Sequence, residues 1–553
     1  MNLIKQAQLY WHTLSHLKPV QVSGQLQRRF LPKKGRGASI QQLKIPYEGC
    51  QWSEELSTKL WPYPSAVQHD AKALKKGKFT FIHQTHNLDW PIQWEQEGLP
   101  KLWSYNLHYF EWLWALSFEE AVPFVKQWIA FANTHPSSIA WDAYPISLRL
   151  QNWVGFFWHK HRDKLEDHED FLQELWTSFA QQAESLTQQL ETHLLGNHLL
   201  ENAVTLSLIG SAFKGKYANQ WLKLGKKWLK AELDEQILPD GMHFELSPMY
   251  HQRVLYLVQL LAQFGDREIT RKANQLLPQM RKALSKLCHP DGEIALFNDS
   301  AMDIYPPPSQ LLGEHFQTDR GAWSLEHAGY YGFRSEDRSY IVCDAGRIGP
   351  DYIPGHAHGD IFSFELTLQG HRVLVDSGIY DYQPGKMRKY CRSTRAHNTI
   401  EINAQDQCEF WDVFRVARRG YPHQVRFQPS QQGFVLEGWH NGYQSLGDAK
   451  HHRTFQWKAQ RELLVKDIIT SSQQLQVRSR LHLHPSCKLV EHSEQEVTFA
   501  YPEGHFTITF YGPGTLLVDA SYYCPAFGKK YDNTELIFEA TGNNLDLSFQ
   551  IRG

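Results

Sequence analysis

The 553-residue chain is short of several things that would settle its class at once. Its seven cysteines stand at 50, 288, 343, 391, 408, 487 and 524, an odd number with no CxxC, so neither a disulfide framework nor a zinc ribbon is indicated. No run approaches about 18 consecutive apolar residues, which argues against a transmembrane span. The opening MNLIKQAQLYWHTLSHLKPVQ has no long apolar h-region and no small-residue cleavage site, so the expected location is cytoplasmic, with a periplasmic one kept open. Net charge is also missing: the formal sum is −2, so no global basic field recruits nucleic acid or an anionic membrane. An acidic ligand would have to be met by a local cluster.

What the chain does have is aromatic surface and histidine. Aromatics make up 13%, with 19 Trp and 24 Tyr, and there are 29 His. Rings pack cores, and they also stack on sugars. Histidine suits metal ligation and acid–base chemistry. At 42% hydrophobic and 21% charged, the chain is an ordinary globular one with room for two to four domains.

The patterning changes character along the sequence. Residues 1–100 are mixed, with short basic runs at Arg28–Arg29 and Lys33–Lys34, and read as an N-terminal extension packing on a helical domain. From 101 to about 320, apolar residues recur at helical spacing in NLHYFEWLWALSFEEAVPFVKQWIAFANTH, ISLRLQNWVGFFWHK, FLQELWTSFAQQAESLTQQLETHLL and MYHQRVLYLVQLLAQFG. These predict antiparallel helical hairpins in a toroid or solenoid. From 321 to 553 the segments shorten and alternate, as in RSYIVCDAG, IFSFELTL, RELLVKDII, VRSRLHLHP and HFTITFYG, which predicts an antiparallel β-sandwich. The expected class is therefore α+β multidomain, helices first and sheet second.

Four clusters could carry chemistry. In GHAHGD, His356 and His358 are two apart, a spacing that on an extended strand points both imidazoles to one face. Asp376 and His397 lie further on in what read as the next strands, and two imidazoles with a carboxylate can meet a divalent ion. In LLGNHLLENAVTLSLIG, Asn197, His198, Glu201 and Asn202 punctuate an apolar helix; they form either a cleft wall or a helix-packing network. Tyr250 and Arg253 come just after a Ser-Pro helix start in FELSPMYHQRVLY, where Ser247 is placed to cap. Upstream, Asn106, His108 and Arg149 offer amide, imidazole and guanidinium groups for a sugar or carboxylate, although helix packing explains them equally well.

Together GNHLLENA, SPMYHQRVL, GHAHGDIFSFEL, VDSGIYDY and RSTRAHNTIEIN, in this order, resemble the heparinase II/III family of polysaccharide lyases over about residues 100–420. The resemblance implies an incomplete (α/α) toroid followed by antiparallel β-sheets. It implies an acidic, uronic-acid-containing polysaccharide as substrate, cleaved by β-elimination. It maps Asn197 or His198 onto the group that neutralises the uronate, Tyr250 onto the catalytic tyrosine and His356 onto the catalytic histidine. Glu201 resembles an acidic residue near the cleft. His358, Asp376 and His397 resemble the ligands of a structural divalent ion, zinc first, with manganese or calcium as alternatives. The LYWHTLSHLKP block resembles relatives from bacterial surface-polysaccharide loci. Two alternatives stand beside the lyase: a glycoside hydrolase, and a non-catalytic protein that binds acidic polysaccharide on the same fold. A cupin-like metalloenzyme is disfavoured by the large helical half.

Overall fold

The computed structural model describes residues 3–30, 38–47, 51–56, 59, 61, 69–313, 319–458 and 460–553. The Lys33–Lys34 run and Cys50 lie outside them. All six cysteines among the described residues are free and buried.

The helical half is built from Phe118–Thr134, Ala143–Trp153, Glu169–Gln188, Gly196–Ala212, Lys216–Gln236, Pro248–Phe264 and Arg267–Lys286. Sequence neighbours pack on one another, Gly196–Ala212 on Lys216–Gln236 and Pro248–Phe264 on Arg267–Lys286. Seven tryptophans (103, 112, 128, 153, 158, 176 and 221) are almost wholly buried here, so these rings are core and not sugar platforms. The long helical pattern from 105 to 134 is not one helix. Lys101–Tyr109 stops at Phe110, whose φ of 63° is left-handed, and a 3₁₀ turn over Glu111–Ala115 leads to Ser117. There Ser117 and Glu120 form a reciprocal capping box that starts the next helix.

The sheet half comes second. A five-stranded antiparallel sheet runs in order from Gly321–Leu325 through Tyr330–Arg334, Tyr340–Asp344 and Phe364–Leu368 to His371–Leu374. The strands Phe410–Asp412 and Arg415–Val416 pair by themselves, and the others that follow form a ten-stranded sheet. Its spine is one 21-residue strand, Glu462–His482, paired antiparallel to the 22-residue strand Tyr531–Arg552. Sequence patterning divides that spine into two strands, because the register shifts between Thr470 and Leu475 and the polar run there resembles a turn. Inner faces of both sheets share one apolar core, which includes Ile341, Phe364 and Leu366 of the smaller sheet and Phe455, Val465 and Phe549 of the larger. This is the packing of a sandwich.

Arg149 and His108 are core residues. Sequence reading placed both against a ligand, but each is fully buried. Arg149 donates to Gln182 Oε1 (2.7 Å) and to the carbonyls of His108 (2.9 Å) and Ala140 (2.8 Å), with its guanidinium over the Trp128 ring. His108 Nδ1 accepts from Trp128 Nε1 at 3.1 Å. The helix Ala143–Trp153 shows the cavity only Ala143, Tyr144 and Leu148, and Arg149 points away from it into the core. Arg149→Met strands two buried carbonyls and an amide oxygen, and should cost about 2–4 kcal/mol. Urea unfolding of the variant is the measurement; an unchanged midpoint would show that these bonds do not hold the helices together.

Candidate active site

A cavity of about 1310 Å³ opens where the two halves meet. Its walls come from the helical half (Tyr105, Asn106, Tyr144, Asn197, His198, Tyr250), the sheet half (His356, Tyr382, Phe414) and the N-terminal helices.

Backbone geometry delivers the central residues. Leu195 (φ 66°) and Gly196 (φ 58°) turn the chain sharply into the helix Gly196–Ala212, leaving Asn197 in its first turn. Only glycine fits at 196: an added Cβ would lie 2.4 Å from Glu245 Oε1. Glu245 then accepts from the Asn197 backbone N–H (2.8 Å) and from its Nδ2 (3.1 and 2.9 Å). Ser247 does cap the helix Pro248–Phe264: its Oγ accepts from Tyr250 N–H at 3.3 Å and fixes the start from which Tyr250 projects.

His356 and His358 do not sit on a strand. Residues 355–360 form a turn-rich loop pinned to 298–299, with Asp299 N–H donating to the His356 carbonyl (3.0 Å) and His358 N–H to Asn298 Oδ1 (3.0 Å). Both imidazoles still converge on one group. His356 Nδ1 lies 2.8 Å from Asp299 Oδ2, and His358 Nε2 lies 2.9 Å from Asp299 Oδ1. Arg388 completes the cluster through both terminal nitrogens, Nη2 to Oδ2 at 3.0 Å. Burial opposes ionisation of Asp299, but Arg388 and the two histidines outweigh it and hold the carboxyl well below the usual range.

The central groups meet. Asn197 Nδ2 is 3.4 Å from His356 Nε2, and Glu245 Oε2 is 3.4 Å from the same nitrogen. The Tyr250 and His356 rings lie 4.0 Å apart between centroids, tilted by 30°. The Tyr250 hydroxyl is 3.0 Å from that of Tyr382. Burial, reinforced by Tyr382, Tyr305 and Tyr144, raises the Tyr250 phenol well above its ordinary value. His198 Nδ1 lies 3.1 Å from Glu191 Oε1 and its ring is 4.5 Å from that of Tyr144. Burial lowers the His198 pKa, but the Glu191 charge and hydrogen bond more than compensate, so it is raised overall.

Of the expected ligand contacts, Asn106 lines the cavity, with Nδ2 also bonded to the Leu102 carbonyl at 2.8 Å. Glu201, Asn202 and Arg253 lie behind the wall and do not line it. Arg253 forks onto Glu201 (2.9 and 2.8 Å), both buried, with Gln151 alongside. Asn202 accepts from Glu191 N–H (2.9 Å) and donates to Glu191 Oε2 (3.2 Å), and so steadies the carboxylate that holds His198. Sequence reading missed Glu191, Glu245, Asp299, Arg388 and Tyr382. It also missed Glu111, a cavity-lining carboxyl that burial raises to about 7 against the pull of Arg253.

Beneath His356, the ligand-type atoms of His358, Asp376 and His397 all lie within 4.8 Å of one another and could hold a metal ion. They come from a loop and two strand flanks, not from three strands. The donor set fits: His358 Nδ1 and His397 Nε2 are buried with no hydrogen-bond partner, and such orphans are costly unless something binds them. The other nitrogens are oriented by Asp299 (2.9 Å) and by Asp376 Oδ2 (2.7 Å). Burial drives His358 down to about 3, so it is a neutral imidazole, the form a metal requires.

A toroid joined to an antiparallel sandwich, with a histidine–tyrosine–amide cleft at the junction, defines the architectural class. Residues 65–305 match the heparinase II/III N-terminus and residues 317–551 the heparinase II/III-like C-terminal domain. The chain belongs to the heparinase II/III family. It is 28% identical over 275 residues to the heparin-sulfate lyase of Pedobacter heparinus, an alignment covering 43% of this chain and 40% of that one. A heparin-sulfate lyase of Bacteroides stercoris is 22% identical over 87% of this chain and 79% of its own length. The crystal structure of a heparinase III superposes with a TM-score of 0.71 at 16% identity, covering 98% and 90% of the two chains, and supports the fold.

Asp299→Asn should destabilise the protein by about 3–5 kcal/mol, since it leaves Arg388 as an uncompensated buried charge. The Asp299 pKa is depressed, so its contribution is full above the unfolded value of 3.8 and is lost only as pH falls through the lower folded value. The wild-type and variant stability curves should therefore converge in strong acid; curves that stay parallel down to that range would show that Asp299 is not the source.

Proposed function

We propose that the protein is a polysaccharide lyase that cleaves a uronic-acid-containing, glycosaminoglycan-like chain by β-elimination. The observation that carries this reading is the convergence of Asn197, His356 and Tyr250 on one cavity, Asn197 and Tyr250 each close to the same imidazole. The names of the relatives agree with it.

The C5–H of a uronate is weakly acidic, and removing it drives charge into the carboxylate. Neutralising that charge lowers the barrier. The Asn197 amide has one hydrogen committed to Glu245 and a second directed toward His356, where a carboxylate could accept it. His198 carries a proton to higher pH than a free imidazole because Glu191 stabilises it, and it supplies a positive charge. Asp299 on Nδ1 selects the His356 tautomer with its lone pair on Nε2, and once the Asn197 hydrogen that faces this nitrogen turns to the substrate carboxylate, Nε2 takes the C5 proton. Tyr250, held protonated, gives its proton to the departing glycosidic oxygen as the C4–O bond breaks. The product carries a C4–C5 double bond.

A divalent ion held by His358, Asp376 and His397 would have a structural part in this scheme. It would supply fixed positive charge beneath the cleft and lock the loop that carries His356. Zinc suits the two imidazoles and carboxylate best. Elemental analysis should find about one divalent ion per chain, and His397→Ala should lose both the ion and several degrees of melting temperature. A metal-free protein with unchanged melting would remove the ion from the scheme.

The position of Glu111 favours a second reading. It lines the cleft, and burial raises its carboxyl to about 7, toward the range that the acid of a glycoside hydrolase needs. Ultraviolet absorbance decides between them, because only elimination yields a conjugated product. A panel of uronic-acid polysaccharides should give an absorbing product with wild type. Tyr250→Phe and His356→Ala should each lower kcat by about 10²–10⁴-fold with little change in KM. Cleavage without absorbance, abolished by Glu111→Gln, would establish the hydrolase instead.

The raised His198 pKa gives a pH signature. Its charge is present below the ordinary value of 6.5 and is lost as pH rises through the folded value, so KM should climb on the alkaline side. Glu191→Gln removes the stabilising charge and should move that limb to lower pH. A KM profile that does not move would take His198 out of substrate binding.

A further inference from the structure

The near-zero net charge conceals an asymmetry. Residues 1–47 contain eight Lys or Arg and no Asp or Glu. The remaining 506 residues hold 49 basic and 59 acidic side chains, a formal charge of −10. A basic N-terminal segment therefore leads an otherwise acidic sequence, and it precedes residue 65, where the family match begins.

The helices Leu3–Leu14 and Pro19–Phe30 of this segment are seated by their polar sides. Trp411 Nε1 donates to Thr13 Oγ1 at 3.0 Å, and Arg419 to the His12 carbonyl at 3.3 Å. Gln21 Nε2 donates to the carbonyls of Leu194 (3.2 Å) and Tyr352 (3.1 Å). Gly24 rests so closely on His193 that a Cβ there would meet the His193 Cβ at 2.9 Å. The buried residues are Leu9 in the first helix and Gln21 and Gly24 in the second.

The apolar stripes point the other way. Leu3, Ala7 and Trp11 follow i, i+4, i+8 spacing, and Leu3 is 81% and Trp11 71% exposed. Val22, Leu26 and Phe30 follow i, i+4, i+8 spacing, and Phe30 is 73% exposed. A surface helix ordinarily turns such a stripe inward. Two stripes turned outward on consecutive helices mark a surface that something else covers.

Charge identifies what covers it. Outward Leu, Trp and Phe, with Lys5 exposed, Arg29 exposed at the rim of the cavity and no acid on either helix, is the pattern of a helix lying in the headgroup region of a bilayer. Anionic lipid complements the cations and the acyl boundary accepts the rings. An acidic glycan would satisfy the cations but leave the Leu and Phe side chains in water. We propose that residues 3–30 form an interfacial anchor that docks the protein on the surface of an anionic lipid bilayer. The attachment is peripheral, because among the described residues no helix is long and apolar enough to cross a membrane. Tyr10, Leu14, Leu17 and Gln21 also line the cavity, so the anchor holds the cleft close to the lipid surface.

The test is sedimentation of the full chain with two kinds of vesicle, pure phosphatidylcholine and phosphatidylcholine containing phosphatidylglycerol. Expected is partitioning at least about tenfold stronger onto the anionic vesicles, weakened by salt. The triple variant Leu3→Ser, Trp11→Ser, Phe30→Ser should lose about tenfold or more of that binding. Its activity on soluble polysaccharide should be unchanged, because none of the three side chains lines the cavity. Equal or absent binding to both vesicles overturns the proposal, as does a triple variant that binds like wild type. A dimer in solution that the triple variant dissolves would overturn it too, in favour of a second copy covering the stripes. None of these outcomes bears on the lyase reading.

Discussion

A single carboxylate ties the cleft to the core. Asp299 is fully buried, and an isolated charge there would be prohibitive. It persists because Arg388, His356 and His358 surround it with donors. The arrangement has a consequence for both histidines. One oxygen orients the imidazole that faces the cavity, and the other orients the imidazole of the possible metal triad. The two sites cannot shift independently, because a displacement of either ring strains the same buried group.

Glu245 has the equivalent part on the helical side. It binds the Asn197 backbone and amide and lies against His356 from the opposite direction to Asp299. This convergence has a local backbone cost. Leu195, Leu246 and Asn298 all adopt left-handed φ angles of 56–66°, and they immediately precede Gly196, Ser247 and Asp299. Residues other than glycine are disfavoured there by roughly 1 kcal/mol or more each. Three such residues, each within two positions of a side chain that bonds or abuts His356 (Asn197, Glu245 and Asp299), indicate that packing of the two halves dictates the backbone at their junction.

The division into helices and then sheet was legible because the period of apolar residues changes from 3.6 to 2, and periodicity reports burial directly. Asn197, Tyr250 and His356 stood out as candidates because each interrupts an apolar or glycine-rich block, and the structure brings the three together at one cavity. Which way a polar residue faces was not legible. Arg149 sits on the core side of a helix that also lines the cleft, and a cation bonded to carbonyls and one bonded to a ligand leave the same trace in sequence. Glu201 and Arg253 neutralise each other 52 positions apart, so neither signals by itself that it is internal. Asp299 and Arg388 were missed for the same reason: they lie on separate loops and helices, and no spacing rule connects them. The H-x-H spacing did identify two imidazoles that meet one partner, but through a loop folded around Asp299 and not through the alternation of a strand.

The electrostatics of the cleft also bear on how roles divide within it. Tyr144, Tyr250, Tyr305 and Tyr382 cluster there, and burial is the largest cause that raises every one of these phenols. Arg253 and Arg388 oppose it at some of them, but each is engaged by a carboxylate, Glu201 and Asp299. No phenolate is therefore favoured, and a tyrosine in this setting is suited to give a proton, not to take one. The imidazole of His356 lies tilted against the Tyr250 ring and is bounded by two carboxylates, so a proton it takes up is met by negative charge on both sides. In the proposed elimination, acid and base are thus assigned by the surroundings of the two rings: one lies among neutral hydroxyls, and the other between negative charges.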